Sequence, residues 1–276
     1  MLKFEKLHGL GNDFIIFDGV NQNMPNYNEL AKKVCNRHFG IGADGMMVAE
    51  KSDKADIKMC FYNADGTEAP MCGNGIRCFT KFVYDNDLID KKSFNVETLA
   101  GIMKPEIKEI KGKISDVKVN LGTPNFIARE IPVISDKEEF INEKIKVLGN
   151  EYDISAVAIG SIHSVIYSNN LDNIDIKEVG DLIEKLEIFP KGINVNFAEI
   201  KDNKNIKVLT WERGVGQTLA CGTGAAASAI IGTRICGLNK SVDVHLLGGV
   251  VNIEQTEKHV YMTGPAEFVC SGKYNF

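Results

Sequence analysis

Met71-Cys72-Gly73-Asn74-Gly75-Ile76-Arg77-Cys78 and Ala220-Cys221-Gly222-Thr223-Gly224-Ala225 share a Cys-Gly-x-Gly core, and the two cysteines are 149 positions apart. The same offset lays Gly11-Asn12-Asp13-Phe14-Ile15-Ile16 on Gly160-Ser161-Ile162-His163-Ser164-Val165. Each of these is a glycine-led turn that runs into a β-branched, aromatic strand. Glu97-Thr98-Leu99-Ala100-Gly101 matches His245-Leu246-Leu247-Gly248-Gly249 at an offset of 148, and Thr123-Pro124 and Gly264-Pro265, each just after an alternating strand, are a candidate further pair. One weak match is chance, but several in order at nearly one offset indicate a duplicated unit. The expected fold is therefore α+β: two structurally similar domains from an internal duplication, each a mainly antiparallel sheet wrapped around a central helix. The matching motifs should meet in the cleft between them, which makes that cleft the expected active site. The expected domains are residues 1–117 with 265–276, carrying Cys72, and 118–264, carrying Cys221.

Working outward, alternation and β-branched content predict strands over 3–8, 14–18, 45–50, 57–63, 93–98, 101–110 and 114–121. The second half echoes them over 152–159, 164–167, 194–200, 206–212, 242–246, 249–255 and 259–262. Helices are predicted over 28–36, 74–86, 175–186 and 223–235. Two of these begin just after the paired cysteines, and the last is rich in alanine, the best helix former. Residues 127–146 are charged and irregular, which marks them as the least core-like stretch and the expected boundary region.

Composition narrows the classes of function. Of 276 residues, 44% are hydrophobic and 25% charged, so the chain can bury a sizeable core. The net charge is −5 and the basic residues are scattered, which excludes a nucleic-acid or membrane-surface footprint. No window approaches the roughly eighteen apolar residues of a membrane span. Met1 to Lys6 lacks the apolar region of a signal peptide, so a cytoplasmic location is expected. The seven cysteines are an odd number without Cys-x-x-Cys spacing, which argues against a disulfide framework and against a zinc ribbon. No metal is expected.

Each Cys-Gly-x-Gly precedes a helix start, and that placement has chemical consequences. The first N–H groups of a helix lack internal partners, and the dipole adds positive potential there. A carboxylate can dock on those groups, and the glycines remove the Cβ atoms that would hold it away. The same field stabilises a thiolate, lowering a cysteine pKa from its ordinary value of about 8.5. With two such sites facing each other, one thiolate would take a proton from an amino-acid α-carbon while the other thiol returned one to the opposite face. The N–H groups would stabilise the developing charge. No Schiff-base lysine is nominated, so no pyridoxal phosphate or other cofactor is implied. A pair of buried helix-start cysteines is the bland alternative for one such motif, but the duplication weighs against it.

At these residues the chain resembles the diaminopimelate epimerase family, nearly end to end. His8-Gly9-Leu10-Gly11-Asn12-Asp13-Phe14 is similar to that family's opening signature, and Gly40-Ile41-Gly42-Ala43-Asp44-Gly45 to its second block. Asn63-Ala64-Asp65-Gly66-Thr67-Glu68 leading to the Cys72 motif resembles the first catalytic block. Glu212-Arg213-Gly214-Val215-Gly216 leading to the Cys221 motif resembles the second. The resemblance implies that Cys72 and Cys221 are the acid/base pair, and that Gly73-Asn74 and Gly222-Thr223 hold the reacting carboxylate. It implies that Asn12, Asn63, Asn194 and Arg213 grip the distal end of the substrate, with Glu212 beside them. It implies that His163 and Glu212 adjust the two thiols. The implied reaction interconverts LL- and meso-2,6-diaminopimelate on the way to lysine and peptidoglycan precursors. A homodimer is the expected state, with Tyr261 and Tyr274 as candidate contacts. One departure stands out: the family usually reads Gly-Asn-Pro-His where this chain has Gly160-Ser161-Ile162-His163. Ser161 keeps one hydroxyl for the distal end, directly or through water, where the family has an asparagine.

Rival readings remain. Gly40 to Gly45 satisfies G-x-G-x-x-G, but no hydrophobic strand precedes it and a strand-like run follows, so a dinucleotide site is rejected. Racemisation of another amino acid on the same scaffold, such as lanthionine or histidine, is kept alive by Ser161. A non-catalytic binding protein or a thiol redox protein is the reading from another class.

Overall fold

The computed structural model describes residues 1–110 and 113–276. In chain order its elements begin with β1 (Leu2–Gly9), β2 (Asn12–Asp18), α1 (Tyr27–Val34), β3 (Gly45–Glu50), β4 (Ile57–Asn63) and α2 (Gly73–Asp85). Then come β5 (Val96–Thr98), β6 (Gly101–Met103), β7 (Glu106–Ile110), β8 (Lys113–Gly122), β9 (Glu143–Val147), β10 (Asn150–Ile159) and β11 (Ser161–Tyr167). The rest are α3 (Ile176–Glu184), β12 (Asn194–Ile200), β13 (Asn205–Glu212), β14 (Gly216–Thr218), α4 (Gly222–Ile235), β15 (Ser241–Leu246), β16 (Gly249–Gln255), β17 (Val260–Gly264) and β18 (Glu267–Tyr274). The chain divides into two compact units, Met1–Asn120 with Thr263–Phe276, and Leu121–Met262.

The fold is α+β, and one pairing pattern occurs twice. In the first unit the strands run β18-β1-β2-β3-β4-β5-β6. Successive pairs are antiparallel, antiparallel, parallel, antiparallel, parallel and antiparallel. In the second unit β9-β10-β11-β12-β13-β15-β16 repeats that series pair for pair. A parallel pair needs a crossover, and each crossover here carries a helix. α1 links β2 to β3 and α2 links β4 to β5, while α3 links β11 to β12 and α4 lies between β13 and β15.

Side-chain alternation explains why the central strands are hydrophobic on both faces. In the first unit Ile15, Phe17, Met46 and Val48 pack with Leu30, Ala31 and Val34 of α1. Their neighbours Phe14 and Met47 point the other way, under Gly75 of α2. In the second unit Ile154, Ile166, Val195 and Phe197 pack with Val179 and Ile183 of α3. The opposite face lies under α4, whose Ala225, Ala226, Ala227, Ala229, Ile230 and Ile231 are buried. Burial of each large apolar side chain contributes about 1.5–3 kcal/mol.

Several elements depart from the sequence reading. Residues 127–146 belong to the second unit's core, with Ala128, Ile131, Val133, Phe140 and Ile145 buried, so the charged residues only decorate their outer side. Within that stretch β9 starts at Glu143. The expected strand 101–110 is interrupted, because Pro105 lacks the N–H of a ladder residue and separates β6 from β7. β18 lies beyond the predicted strands. It pairs with β1 through a register shift at Lys6/Leu7 and leaves Phe268 and Val269 half exposed.

Candidate active site

In the first unit the hairpin between β1 and β2 turns on Leu10 and Gly11, both with positive φ (59° and 88°). Such a two-residue turn matches the twist of the strands, and it delivers Asn12 to the start of β2. There the Asn12 amide is oriented by charge. Its Nδ2 donates to Asp44 Oδ2 at 2.7 Å, which turns Oδ1 toward Cys72 Sγ at 3.6 Å and Asn74 Nδ2 at 3.3 Å. Asp44 is itself held by Arg37, which also bridges to Asp13. Burial opposes ionisation of Asp13, but hydrogen bonds from Arg37 and Lys6 outweigh it and hold that carboxyl below the usual range. Asn63, at the end of β4, is exposed and donates to Thr67 Oγ1 at 3.0 Å.

Cys72 is the N-cap of α2, with extended backbone at φ −135° and ψ 128°. Its sulfur accepts from the Gly75 N–H at 3.5 Å. The first turn of α2 holds no acidic side chain, so its positive end is not neutralised from within the helix. Arg77, fully buried, donates to Gly73 O at 3.0 Å and to Pro265 O at 3.1 Å, and so ties the helix start to the chain leading into β18. Gly75 leaves the space that a side chain would fill, since a Cβ there would lie 2.2 Å from Met47 Cε.

The second unit builds the matching helix start with different chemistry. Cys221 is the N-cap of α4, also extended, and again the first turn is free of acidic side chains. Thr223 Oγ1 lies 3.6 Å from Cys221 Sγ and 3.0 Å from His163 Nε2. His163 is fully buried on β11, and burial, with a smaller push from the Arg213 charge, drives its pKa down to about 3. The imidazole is therefore neutral at ordinary pH. Gly160, at φ 68°, ends the turn before β11, and a Cβ there would lie 2.8 Å from Thr223 Cγ2.

A second cluster forms at the start of β12. Asn194 Nδ2 donates to Ser161 Oγ at 3.1 Å and to Ile162 O at 2.8 Å, while its Oδ1 accepts from the Arg213 N–H at 2.9 Å. Ser161 therefore takes up one N–H of Asn194. The exposed Arg213 side chain donates through Nη1 to Lys191 O at 2.9 Å and lies over the glycine turn at Gly192. Glu212 Oε1 accepts from Thr218 Oγ1 at 2.6 Å, across the β13–β14 hairpin.

Asn12, Asn74 and Cys72 thus form one group in the first unit. Cys221, Thr223 and His163 form another in the second, with Ser161, Asn194 and Arg213 as a third. Asp44, Asn196 and Thr210 were not among the residues singled out from sequence. Three buried thiols are unsuited to proton transfer: burial pushes Cys35, Cys60 and Cys78 up to about 12. Gly40 to Asp44 forms a loop between α1 and β3, in keeping with the rejected dinucleotide reading.

Comparison with known proteins agrees over the whole chain. The diaminopimelate epimerase family profile matches residues 4–127 and 155–269. Diaminopimelate epimerase of Caldanaerobacter subterraneus subsp. tengcongensis is 48% identical over 273 residues, 99% of each chain. That of Alkaliphilus metalliredigens is 46% identical, covering 99% of this chain and 97% of the relative. That of Methanococcus maripaludis is 46% identical over 99% of both. Among solved structures, a PhzF-family phenazine biosynthesis protein of Bacillus anthracis aligns at TM-score 0.73 and 14% identity, over 100% of this chain and 99% of the other. A probable proline racemase of Agrobacterium radiobacter aligns at TM-score 0.72 and 13% identity, over 100% and 93%. These structural likenesses establish a shared fold.

Proposed function

The chain belongs to the diaminopimelate epimerase family, and from that premise we propose that it interconverts LL- and meso-2,6-diaminopimelate by a two-thiol mechanism at Cys72 and Cys221. It is an isomerase of the epimerase type. One observation carries the mechanistic reading: each cysteine heads a helix at the same place in a repeated unit, and neither helix has an acidic side chain in its own first turn.

In this mechanism the substrate α-carboxylate rests on the N–H groups of Gly73-Asn74 and Gly222-Thr223. One cysteine, as thiolate, takes the α-proton. The electron pair left on carbon spreads into the carboxylate, where those N–H groups stabilise it. The other cysteine, as thiol, returns a proton to the opposite face. Asn12, Asn63, Asn194 and Arg213 hold the distal end, with Glu212 beside its amino group. The guanidinium fork of Arg213 suits a carboxylate bidentately. His163 and Glu212 adjust the two thiols, His163 as a neutral donor rather than as a cation. No cofactor enters the scheme. The step supplies lysine and peptidoglycan precursors.

We read the enzyme as cytoplasmic and homodimeric. The thiols of Cys35, Cys60, Cys78, Cys236 and Cys270 suit a reducing compartment. Among the described residues no helix is long and apolar enough to cross a membrane. The outer strand β18, with Phe268 and Val269 half exposed, is the surface that favours pairing.

Ser161 supports a second reading, epimerisation or racemisation of lanthionine or histidine, because it alters the group that holds Asn194. Incubation with LL-diaminopimelate in deuterium oxide, with lanthionine and histidine in parallel, separates the two. The expected result is α-deuterium incorporation with diaminopimelate far ahead of the others. Preference for either competitor would overturn the substrate assignment.

A further inference from the structure

In the layer of strands beneath α4, His163, Asn196 and Thr210 form one hydrogen-bonded chain, all three essentially without solvent exposure. Alternation puts them on the α4 face, opposite the side on which Val195 and Phe197 meet α3. Asn196 and Thr210 are directly paired across β12 and β13. Their hydrogen bonds have only one consistent set of directions.

Asn196 Nδ2 donates to Ser164 O at 2.9 Å, and a carbonyl can only accept. That fixes which end of the amide is nitrogen. Oδ1, on the other side, accepts from Thr210 Oγ1 at 3.0 Å. The second hydrogen of Nδ2 is aimed at His163 Nδ1, 3.2 Å away. Nδ1 must therefore be the bare nitrogen, and the single proton of the neutral ring lies on Nε2. Nε2–H then donates to Thr223 Oγ1. The hydroxyl hydrogen of Thr223 is left to donate elsewhere, and Cys221 Sγ is within reach at 3.6 Å.

The duplication supplies a comparison within the same chain. At an offset of 149, His163, Asn196 and Gly224 correspond to Phe14, Met47 and Gly75. The packing is the same in both units: a Cβ on Gly75 would lie 2.2 Å from Met47 Cε, and one on Gly224 would lie 2.2 Å from Asn196 Oδ1. The space under each helix start is thus filled equivalently, by apolar groups under Cys72 and by a directed polar chain under Cys221. Packing alone does not require an asparagine there, since methionine fills the equivalent space.

We propose that Asn196, oriented by Thr210, is a positioning residue for Cys221: it holds His163 in the Nε2-protonated tautomer, so that the Thr223 hydroxyl donates to the Cys221 sulfur. A hydroxyl donor at the sulfur favours the thiolate over the thiol. The charged group whose field reaches His163 is Arg213, and the chain runs from the ring through Thr223 to Cys221. This inference rests on the reading of Cys221 as an acid/base residue, and its test is separable from that reading.

The first measurement needs no variant. Nitrogen-15 NMR of the ring in the intact enzyme at neutral pH should show His163 protonated at Nε2 and bare at Nδ1. Protonation at Nδ1 would overturn the proposal. The second compares Asn196→Leu with Met47→Leu, reading the pH midpoint of Cys221 alkylation by peptide mass spectrometry, together with kcat and KM. Asn196→Leu should raise that midpoint by about one pH unit and lower kcat about tenfold with little change in KM, as expected for loss of one hydrogen bond to a charged group. Met47→Leu should leave the Cys221 midpoint in place. If both variants leave it unmoved, or both move it equally, Asn196 merely fills space. An enzyme that epimerises normally through both cysteines while His163 is Nδ1-protonated would sink this inference and leave the two-thiol reaction standing.

Discussion

The two equivalent glycines, Gly75 and Gly224, should respond differently to the same substitution. An alanine Cβ at either position meets an atom at 2.2 Å, and at either it stands 3.3 Å from the Cβ of the preceding cysteine. The difference lies in what must yield. At Gly75 the obstacle is the terminal methyl of Met47, which has three side-chain torsions with which to retreat. At Gly224 it is Asn196 Oδ1, whose amide bonds to Ser164, His163 and Thr210 at 2.9, 3.2 and 3.0 Å. Ordinary contact requires a retreat of about 1 Å, enough to break at least two of those three buried bonds. At about 1–3 kcal/mol for each group left unsatisfied, the loss is about 2–6 kcal/mol. Replacing a helical glycine by alanine returns up to about 1 kcal/mol. Gly224→Ala should therefore cost about 3 kcal/mol net, a fall in Tm of about 6–12 °C, whereas Gly75→Ala should stay within about 1 kcal/mol of the parent. Urea unfolding followed by circular dichroism reads both. Equal destabilisation of the two variants, or none at Gly224→Ala, would refute the claim that the Asn196 amide is locked.

Burial of neutral His163 makes stability pH-dependent. Its folded pKa, about 3, lies below the ordinary 6.5, so the unfolded chain binds the extra proton and stability falls as pH drops below about 6.5. At pH 5 the loss should be about 2 kcal/mol relative to pH 7, and His163→Gln should remove most of that pH dependence in urea titrations at the two pH values. Ser161→Ala should raise KM for diaminopimelate about fivefold with kcat nearly unchanged, because it removes one hydrogen bond that orders Asn194; steady-state kinetics decides it. Arg77→Met should cost about 2–4 kcal/mol, since it deprives the Gly73 and Pro265 carbonyls of their donor, and chemical denaturation measures it. In native protein, iodoacetamide should spare buried Cys35, Cys60 and Cys78 and modify them only after unfolding in urea, as read by peptide mass spectrometry.

How far the sequence reveals this molecule depends on how much of each element is written in side-chain pattern. The helices after the two cysteines and the central strands were legible because apolar periodicity and glycine punctuation mark them. β9 was hidden because Lys144 and Lys146 alternate with Ile145 and Val147, and the charges masked the buried face. β18 was hidden because its pairing with β1 is made by backbone, while most of its side chains are exposed. In the sites, the cysteines stood out by repetition. Asn12, Asn194 and Arg213 needed the family resemblance, since their partners Asp44, Ser161 and Lys191 are distant in sequence or contribute only backbone. Asn196 did carry a signal: at the repeat offset a polar residue replaces Met47 at a core-facing position, just as His163 replaces Phe14. Two polar substitutions in one apolar layer mark a network, but only coordinates give its direction.

The two-thiol claim itself is tested most directly by turning over LL-diaminopimelate in deuterium oxide with Cys72→Ala and Cys221→Ala beside the parent enzyme. The parent should form meso product carrying one solvent-derived α-deuterium, and each variant should lose epimerisation, with folding verified by circular dichroism. Near-normal turnover by either folded variant would contradict an acid and a base on opposite faces of the α-carbon.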